Sequence, residues 1–249
     1  MTWTPIDCHA HTTFSDGQLT PEALVARVRA RGVRPGIADH ASGDVASSLK
    51  SVEAVREYLD ALAPLDIARG AEFCWHDALW REMPADLMGQ FTHRLGSLHA
   101  ILLDDGNWVH MFQRHIPDGL TPDRYMDAHV ATLEQFAREM PVEILAHPTL
   151  LPLSYRTLPI EDLWTEAREE RAVAALKAAG IAFEVSNRYR PHQRFVSRAR
   201  AAGVRLSLGS DGHTVEQVGD LVAPLVMARA AGARDEDLYD PFVHGTRQM

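Results

Sequence analysis

Short apolar runs alternate with longer amphipathic patterns along the chain of 249 residues. The apolar runs predict buried strands, at residues 6–8, 36–38, within 65–73, within 94–102, 142–146, 182–186 and 204–209. The amphipathic patterns predict helices at residues 21–31, 48–62, 122–139, 160–179, 192–202 and 221–231. Repeated strand-then-helix units predict an α/β fold with a parallel sheet, closed or nearly closed into a TIM-type barrel. An open, doubly wound sheet is the alternative.

Helix-capping residues mark the boundaries of several predicted elements. Thr20 and Pro21 fit the start of a helix, and Gly32, Gly180 and Gly203 fit helix ends. Residues 103–120 are longer than a usual connection, and we expect them to form a lid or a substrate loop. No low-complexity linker or repeat divides the chain, so we expect one domain over residues 1–249.

Side chains that can bind metal ions fall at or just beyond the ends of the predicted strands. Six are histidines and two are carboxylates: His9, His11, His40, Glu72, His99, His147, Asp211 and His213. In an α/β barrel these strand ends meet at one rim, where active sites form. Buried polar groups need partners, so this convergence predicts a metal centre.

The mixture of imidazole and carboxylate ligands suits zinc, iron or manganese rather than a thiolate cage. There are too many of these ligands for one tetrahedral ion. They predict a cluster of two or three divalent metal ions, with Glu72 or Asp211 able to bridge.

Composition narrows the range of partners. The net charge of -9, without a basic block, argues against long nucleic acid as a partner. No apolar run is long enough to span a membrane. Cys8 and Cys74 form no CxxC unit, which predicts a reduced, cytoplasmic protein. Strand alternation directs Cys8 away from the ligands, so we expect it to be a packing residue.

Six segments resemble the PHP (polymerase and histidinol phosphatase) superfamily of metal-dependent phosphoesterases. They occur in the family's order between residues 7 and 213: DCHAHTTFSDG, IADH, GAE, GSLHA, LAHP and SDGH. The resemblance implies a distorted (β/α)7 barrel. GSLHAI, the long loop after it and AFEVSNRYR are most similar to the histidinol-phosphatase type. Gly212 stands where the family often has alanine. The segment NRYR also differs from the family's usual sequence, and this difference concerns the identity of the substrate and not the metal centre.

The resemblance also implies three ligand sets. The first set is His9, His11, Glu72 and Asp211, which are also the expected catalytic residues. The second set is Glu72, His99 and His147, with Glu72 bridging the two, and the third set is Asp16, His40 and His213. The implied activity is hydrolysis of a small phosphomonoester by a hydroxide that bridges two metals.

Other residues near the rim have weaker expected roles. Arg188 and Arg190 follow the sixth predicted strand, and guanidinium groups bind phosphate well, so we expect a contact with substrate phosphate. Asp7 and Asp39 are expected to orient the backbone or a ligand ring. Candidates for substrate contact are His76, Arg114 and His115. His93 and His129 are expected to be remote from the chemistry.

Two other functions are compatible with the sequence. A phosphodiesterase or exonuclease would act on nucleotides, and the acidic balance favours small ones. A non-catalytic protein would bind zinc and phosphate, but structural zinc sites are usually closed and hold one ion.

Overall fold

Six parallel strands form a curled sheet at the centre of the protein. The computed structural model describes residues 3–247. Its strands are β1 (Gly36–Ala41), β2 (Ala68–Cys74), β3 (Leu95–Ser97), β4 (Ala100–Leu102), β5 (Trp108–His110), β6 (Ile144–Leu145), β7 (Ala182–Ser186) and β8 (Leu206–Gly209). The parallel sheet has the order β1-β2-β3-β6-β7-β8, while β4 and β5 form a separate antiparallel hairpin.

Helices cover the outer face of this sheet. They are α1 (Pro21–Ala30), α2 (Val52–Leu62), α3 (Leu79–Glu82), α4 (Ala85–Met88), α5 (Pro122–Glu139), α6 (Ile160–Leu163), α7 (Glu166–Ala179), α8 (Gln193–Ala201), α9 (Val222–Ala230) and α10 (Pro241–His244). The expected caps are present: the Thr20 side chain accepts a hydrogen bond from Ala23 N, and Gly180 ends α7 at φ 70°. In the described part of the chain, no helix is both long and apolar enough to cross a membrane.

Residues 6–11 complete the barrel between the first and last strands of the sheet. This segment, which we call the seam, bonds to the start of β1 on one side and to the end of β8 on the other. The hydrogen-bonded main-chain pairs are Asp7–Arg34, Ala10–Ala38, Cys8–Leu208 and His9–Asp211. The seam takes the place of the predicted first strand but forms only isolated bridges. The expected α/β fold, a distorted TIM-like barrel, is confirmed.

Several predicted boundaries were wrong, and the helix predicted from residue 48 begins at Val52. The strand predicted within residues 94–102 ends at Ser97, and its second part is β4, so His99 lies in the bend between two strands. The predicted loop 103–120 contains β5. The helix predicted over 160–179 is interrupted where Trp164 leaves helical geometry and the Thr165 side chain caps α7.

Candidate metal centre

All nine predicted metal ligands meet at the carboxyl ends of the parallel strands. Seven of them line one cavity of about 470 Å³, namely Asp16, His40, Glu72, His99, His147, Asp211 and His213. His9 and His11 lie beneath it, fully buried on the seam. His147 and Asp211 have positive φ angles of 32° and 50°, which are unusual for residues with a side chain and are often found at functional sites. That these nine residues bind metal stays a prediction.

The first ligand set is compact. The Nε2 atoms of His9 and His11 are 3.0 Å apart. Glu72 Oε2 lies 3.5 Å from His9 Nε2 and 3.8 Å from His11 Nε2. Asp211 Oδ1 lies 3.6 Å from His11 Nε2. Ligand atoms of His9, His11 and Asp211 therefore lie within 4.8 Å of one another, and Glu72 Oε2 approaches the two histidines.

Glu72 connects the first set with the second. Its Oε2 atom faces His9 and His11, while its Oε1 atom lies 2.8 Å from His147 Nε2 and 3.3 Å from His99 Nε2. The Nε2 atoms of His99 and His147 are 3.4 Å apart. This two-sided geometry is what a bridging carboxylate requires.

The third ligand set lies nearest to solvent. Asp16 Oδ1 is 3.2 Å from His213 Nε2 and 3.7 Å from His40 Nε2. His11 belongs to the same group, with its Nδ1 atom 3.7 Å from Asp16 Oδ1. The Asp16 side chain is the most exposed of the nine.

Several buried ligand atoms have no hydrogen-bond partner within residues 3–247. They are Glu72 Oε2, Asp211 Oδ2 and His40 Nδ1. His40 Nδ1 lies 2.7 Å from Glu72 Oε2, but not in a hydrogen-bonding orientation. Leaving such atoms buried and unpaired costs about 1–3 kcal/mol each. The donor set and these unpaired atoms fit divalent cations.

The electrostatic field of the site favours the metal-binding protonation states of some candidate ligands, whereas for His9 and His99 the neighbouring acidic groups outweigh burial and raise the pKa well above its usual range. Burial and the neighbouring imidazoles of His40 and His213 lower the pKa of His11 well below its usual range. Burial opposes ionisation of Asp16 and Glu72, but the surrounding imidazoles, with His213 hydrogen-bonded to Asp16, outweigh it. The pKa of Asp16 falls to about 2, and that of Glu72 falls well below its ordinary value. Ionised carboxylates and neutral imidazole are the ligand forms.

Two buried aspartates hold the loops that carry the ligands. Asp7 accepts hydrogen bonds from the backbone N–H groups of Ser210 and Gly219, which fixes the segment leading to Asp211. Asp39 accepts hydrogen bonds from Thr12 N at 2.7 Å and Ser15 Oγ at 2.6 Å. It therefore orients the backbone of the loop after the seam rather than the His40 ring.

Sequence reasoning missed two residues that contact the ligands. Glu184 Oε1 lies 2.7 Å from His9 Nδ1, and its other oxygen accepts a hydrogen bond from His147 N. Cys74 Sγ lies 3.1 Å from His99 Nδ1. Such contacts orient ligand rings and tune their basicity. A glutamate inside the apolar run AFEVS was the available signal.

The two predicted phosphate-binding arginines lie in different places. Arg188 lines the cavity and donates a hydrogen bond to His213 Nδ1. Arg190 does not line this cavity and bonds instead to the carbonyl and side chain of Asn187. A contact of either with substrate stays a prediction.

The residues with weaker expected roles lie partly at the cavity and partly away from it. His76 lines the cavity, whereas His115 and Arg114 are exposed residues of the loop after β5 and do not line it. His93 and His129 are buried: His93 bonds to Cys8 O, and His129 contacts a tyrosine of α5. Cys8 itself is fully buried in the core, as expected.

A solved structure superposes on nearly the whole chain. It is histidinol phosphate phosphatase (HisK) from Lactococcus lactis subsp. lactis Il1403, complexed with zinc, L-histidinol and phosphate, with a TM-score of 0.68 and 14% sequence identity over 94% of this chain and 95% of that one. The two proteins share a fold. At this identity the likeness establishes the architecture alone.

Further comparisons add little. One is a two-domain protein from Bacteroides vulgatus ATCC 8482 that contains a predicted PHP-like metal-dependent phosphoesterase. It is 15% identical over 86% of this chain and 53% of that one, and its TM-score of 0.42 is too low to support an argument. No protein-family model matches the chain, and no curated protein is significantly similar in sequence.

Proposed function

We propose that this chain is a PHP-type metallophosphoesterase domain, spanning residues 1–249, that hydrolyses a small phosphomonoester of the histidinol-phosphatase type. One observation carries the proposal: the three ligand sets meet at one cavity, and Glu72 faces two of them. The fold shared with a phosphatase supports the same conclusion. A reduced, cytoplasmic location stays a prediction.

Zinc, iron or manganese would occupy the centre as two or three ions held by the three ligand sets. Bound divalent ions supply Lewis acidity, a lowered pKa for coordinated water and charge neutralisation at phosphoryl oxygens. The role of the protein is to fix the ligands. Asp7 and Asp39 hold the loops, while Glu184 and Cys74 hold the His9 and His99 rings.

Substrate would enter through the cavity. Arg188 at its wall can bind the non-bridging phosphate oxygens. Phe112 and Tyr189 supply apolar surface for the leaving group. Asp16, with a pKa of about 2, is ionised at neutral pH and so does not supply the proton for the leaving alkoxide.

The test is a substrate panel with zinc or manganese added to the purified protein. Histidinol phosphate, sugar phosphates, nucleotides and a nucleotide phosphodiester are compared by phosphate release and by product analysis. We expect turnover of a small monoester. Turnover of the diester alone would replace this proposal with the phosphodiesterase alternative, and metal binding without any turnover would favour the non-catalytic one.

Glu72→Ala should lower turnover by at least about 10³-fold and reduce the number of metal ions bound per chain, because it deletes the carboxylate between two ligand sets. Metal content is measured by mass spectrometry beside turnover. His115→Ala, an exposed histidine outside the cavity, is the matched control. Wild-type turnover by the Glu72 variant would show that the reaction does not use this centre.

A further inference from the structure

A second group of potential ligands lies at the mouth of the same cavity. Asp44 follows β1, His76 follows β2, and His110 ends β5, so three separate segments meet here. All three residues line the cavity, but none belongs to the three ligand sets. One ligand atom from each lies within 4.8 Å of the other two.

The contacts among these side chains leave ligand atoms free. His76 Nε2 lies 2.9 Å from Asp44 Oδ2, and the rings of His76 and His110 meet edge to face at 5.4 Å. The His76 side chain is only 7% exposed, and its buried Nδ1 atom has no partner in the part of the chain that the structure describes. A simple ion pair between Asp44 and His76 does not explain the third side chain or the unpaired nitrogen.

The protonation states also suit a cation. Burial lowers the pKa of His76, which favours its neutral form. The hydrogen bond with His76 lowers the pKa of Asp44, which is therefore ionised at neutral pH. Asp44 is more than half exposed, so a hydrated ion can reach it from solvent.

We propose that Asp44, His76 and His110 form a further divalent-metal site, separate from the main centre. Two imidazoles and one carboxylate are typical ligands of zinc, and three protein ligands leave an open coordination position. Zinc bonds of about 2.1 Å place tetrahedral ligand atoms roughly 3.4 Å apart, so small rotations of the partly exposed Asp44 and His110 complete the geometry. The open position faces the cavity, where it can accept an oxygen or nitrogen atom of a bound molecule.

The test measures zinc directly. Wild type, His110→Ala, Asp44→Asn and the control His115→Ala are dialysed against micromolar zinc chloride, and zinc per chain is measured by mass spectrometry. We expect the first two variants to lose about one zinc relative to wild type and to the control. Equal zinc content in all four proteins would overturn the site.

Anomalous X-ray scattering at the zinc edge gives the position of the ion. A peak between His76 and His110 in the wild type, absent in His110→Ala, is the expected result. Peaks only at the main centre would overturn the site. These readouts do not depend on turnover, so a failed phosphatase assay and a failed zinc site are distinguishable.

Discussion

Glu184 contacts two of the predicted ligands from beneath, and its charge should matter more than its shape. Glu184→Gln keeps the side-chain volume but replaces one carboxylate oxygen with an amide N–H₂ group. This group would face His9 Nδ1 or the backbone N–H of His147, each of which now bonds to a carboxylate oxygen. We expect zinc affinity and kcat/KM to fall by about 10–100-fold.

Glu57→Gln, on the exposed face of α2, is the matched control. Zinc titration and steady-state kinetics are compared for the two variants. Equal values for both would mean that Glu184 does not position the ligands.

His129 makes stability depend on pH. Burial lowers its pKa from 6.5 to about 3, so between these values the unfolded chain binds more protons than the folded protein. The stabilisation is present above pH 6.5 and is lost as the pH falls towards 3. From pH 6.5 to 5 the loss should approach about 2 kcal/mol.

His129→Leu removes the titrating ring and should flatten this part of the pH profile. Urea unfolding at several pH values measures the slope. His115→Leu, an exposed replacement, should keep the wild-type slope. If the His129 variant and the wild type lose stability in parallel, His129 is not the group responsible.

At the residue scale, the grouping of the nine candidate ligands was predictable because each lies in a recognisable motif near the end of a predicted strand. Glu184 and Cys74 were not, because their role depends on contacts and not on spacing. Glu184 meets His9, a partner 175 residues away, and no local pattern reports that distance. Asp44 and His110 escaped notice for the same reason, since only the hairpin of β4 and β5 brings His110 to the cavity.

Among the secondary-structure elements, β3 and α5 are in tight contact at Gly96. A Cβ atom at Gly96 would lie 2.4 Å from Phe136 Cε2 and 2.8 Å from Met140 Sδ. Gly96→Ala should therefore destabilise the protein by about 1–3 kcal/mol. Gly43→Ala is the control, because nothing lies within 4 Å of its Cβ position. Urea unfolding that shows equal stability for both variants would mean that the helix can move away from the sheet without cost.

Elements with a clear local signal were predicted closely. Helix α5 and strand β7 have the expected bounds of 122–139 and 182–186. The failures arose where tertiary contacts overrode a local pattern. Ala100–Leu102 resembles a continuing strand, but it pairs with Trp108–His110 instead of the parallel sheet. Trp164, fully buried, breaks an otherwise continuous helical pattern.

For the whole molecule, Asp7 is the residue that joins the seam to the segment after β8. It accepts hydrogen bonds from His9 N, Ser210 N, Ser210 Oγ and Gly219 N. In Asp7→Asn one oxygen becomes an N–H₂ group that faces buried donors. We expect a loss of about 2–4 kcal/mol in the free energy of unfolding.

Asp60→Asn, on an exposed position of α2, is the control for that substitution. Urea unfolding near neutral pH compares the two proteins. An Asp7 variant as stable as its control would show that the ends of the barrel are held together by other contacts.

The seam also has a consequence for biosynthesis. Translation reaches His9 and His11 about 200 residues before Asp211, which bonds to the seam, and His213, whose ring stacks on that of His11. A nascent chain that has not reached β8 therefore carries some of the candidate ligands without their partners. The proposed metal centre can bind ions in its native arrangement only after residues up to His213 have been made, so metal binding should follow the pairing of β8 with the seam.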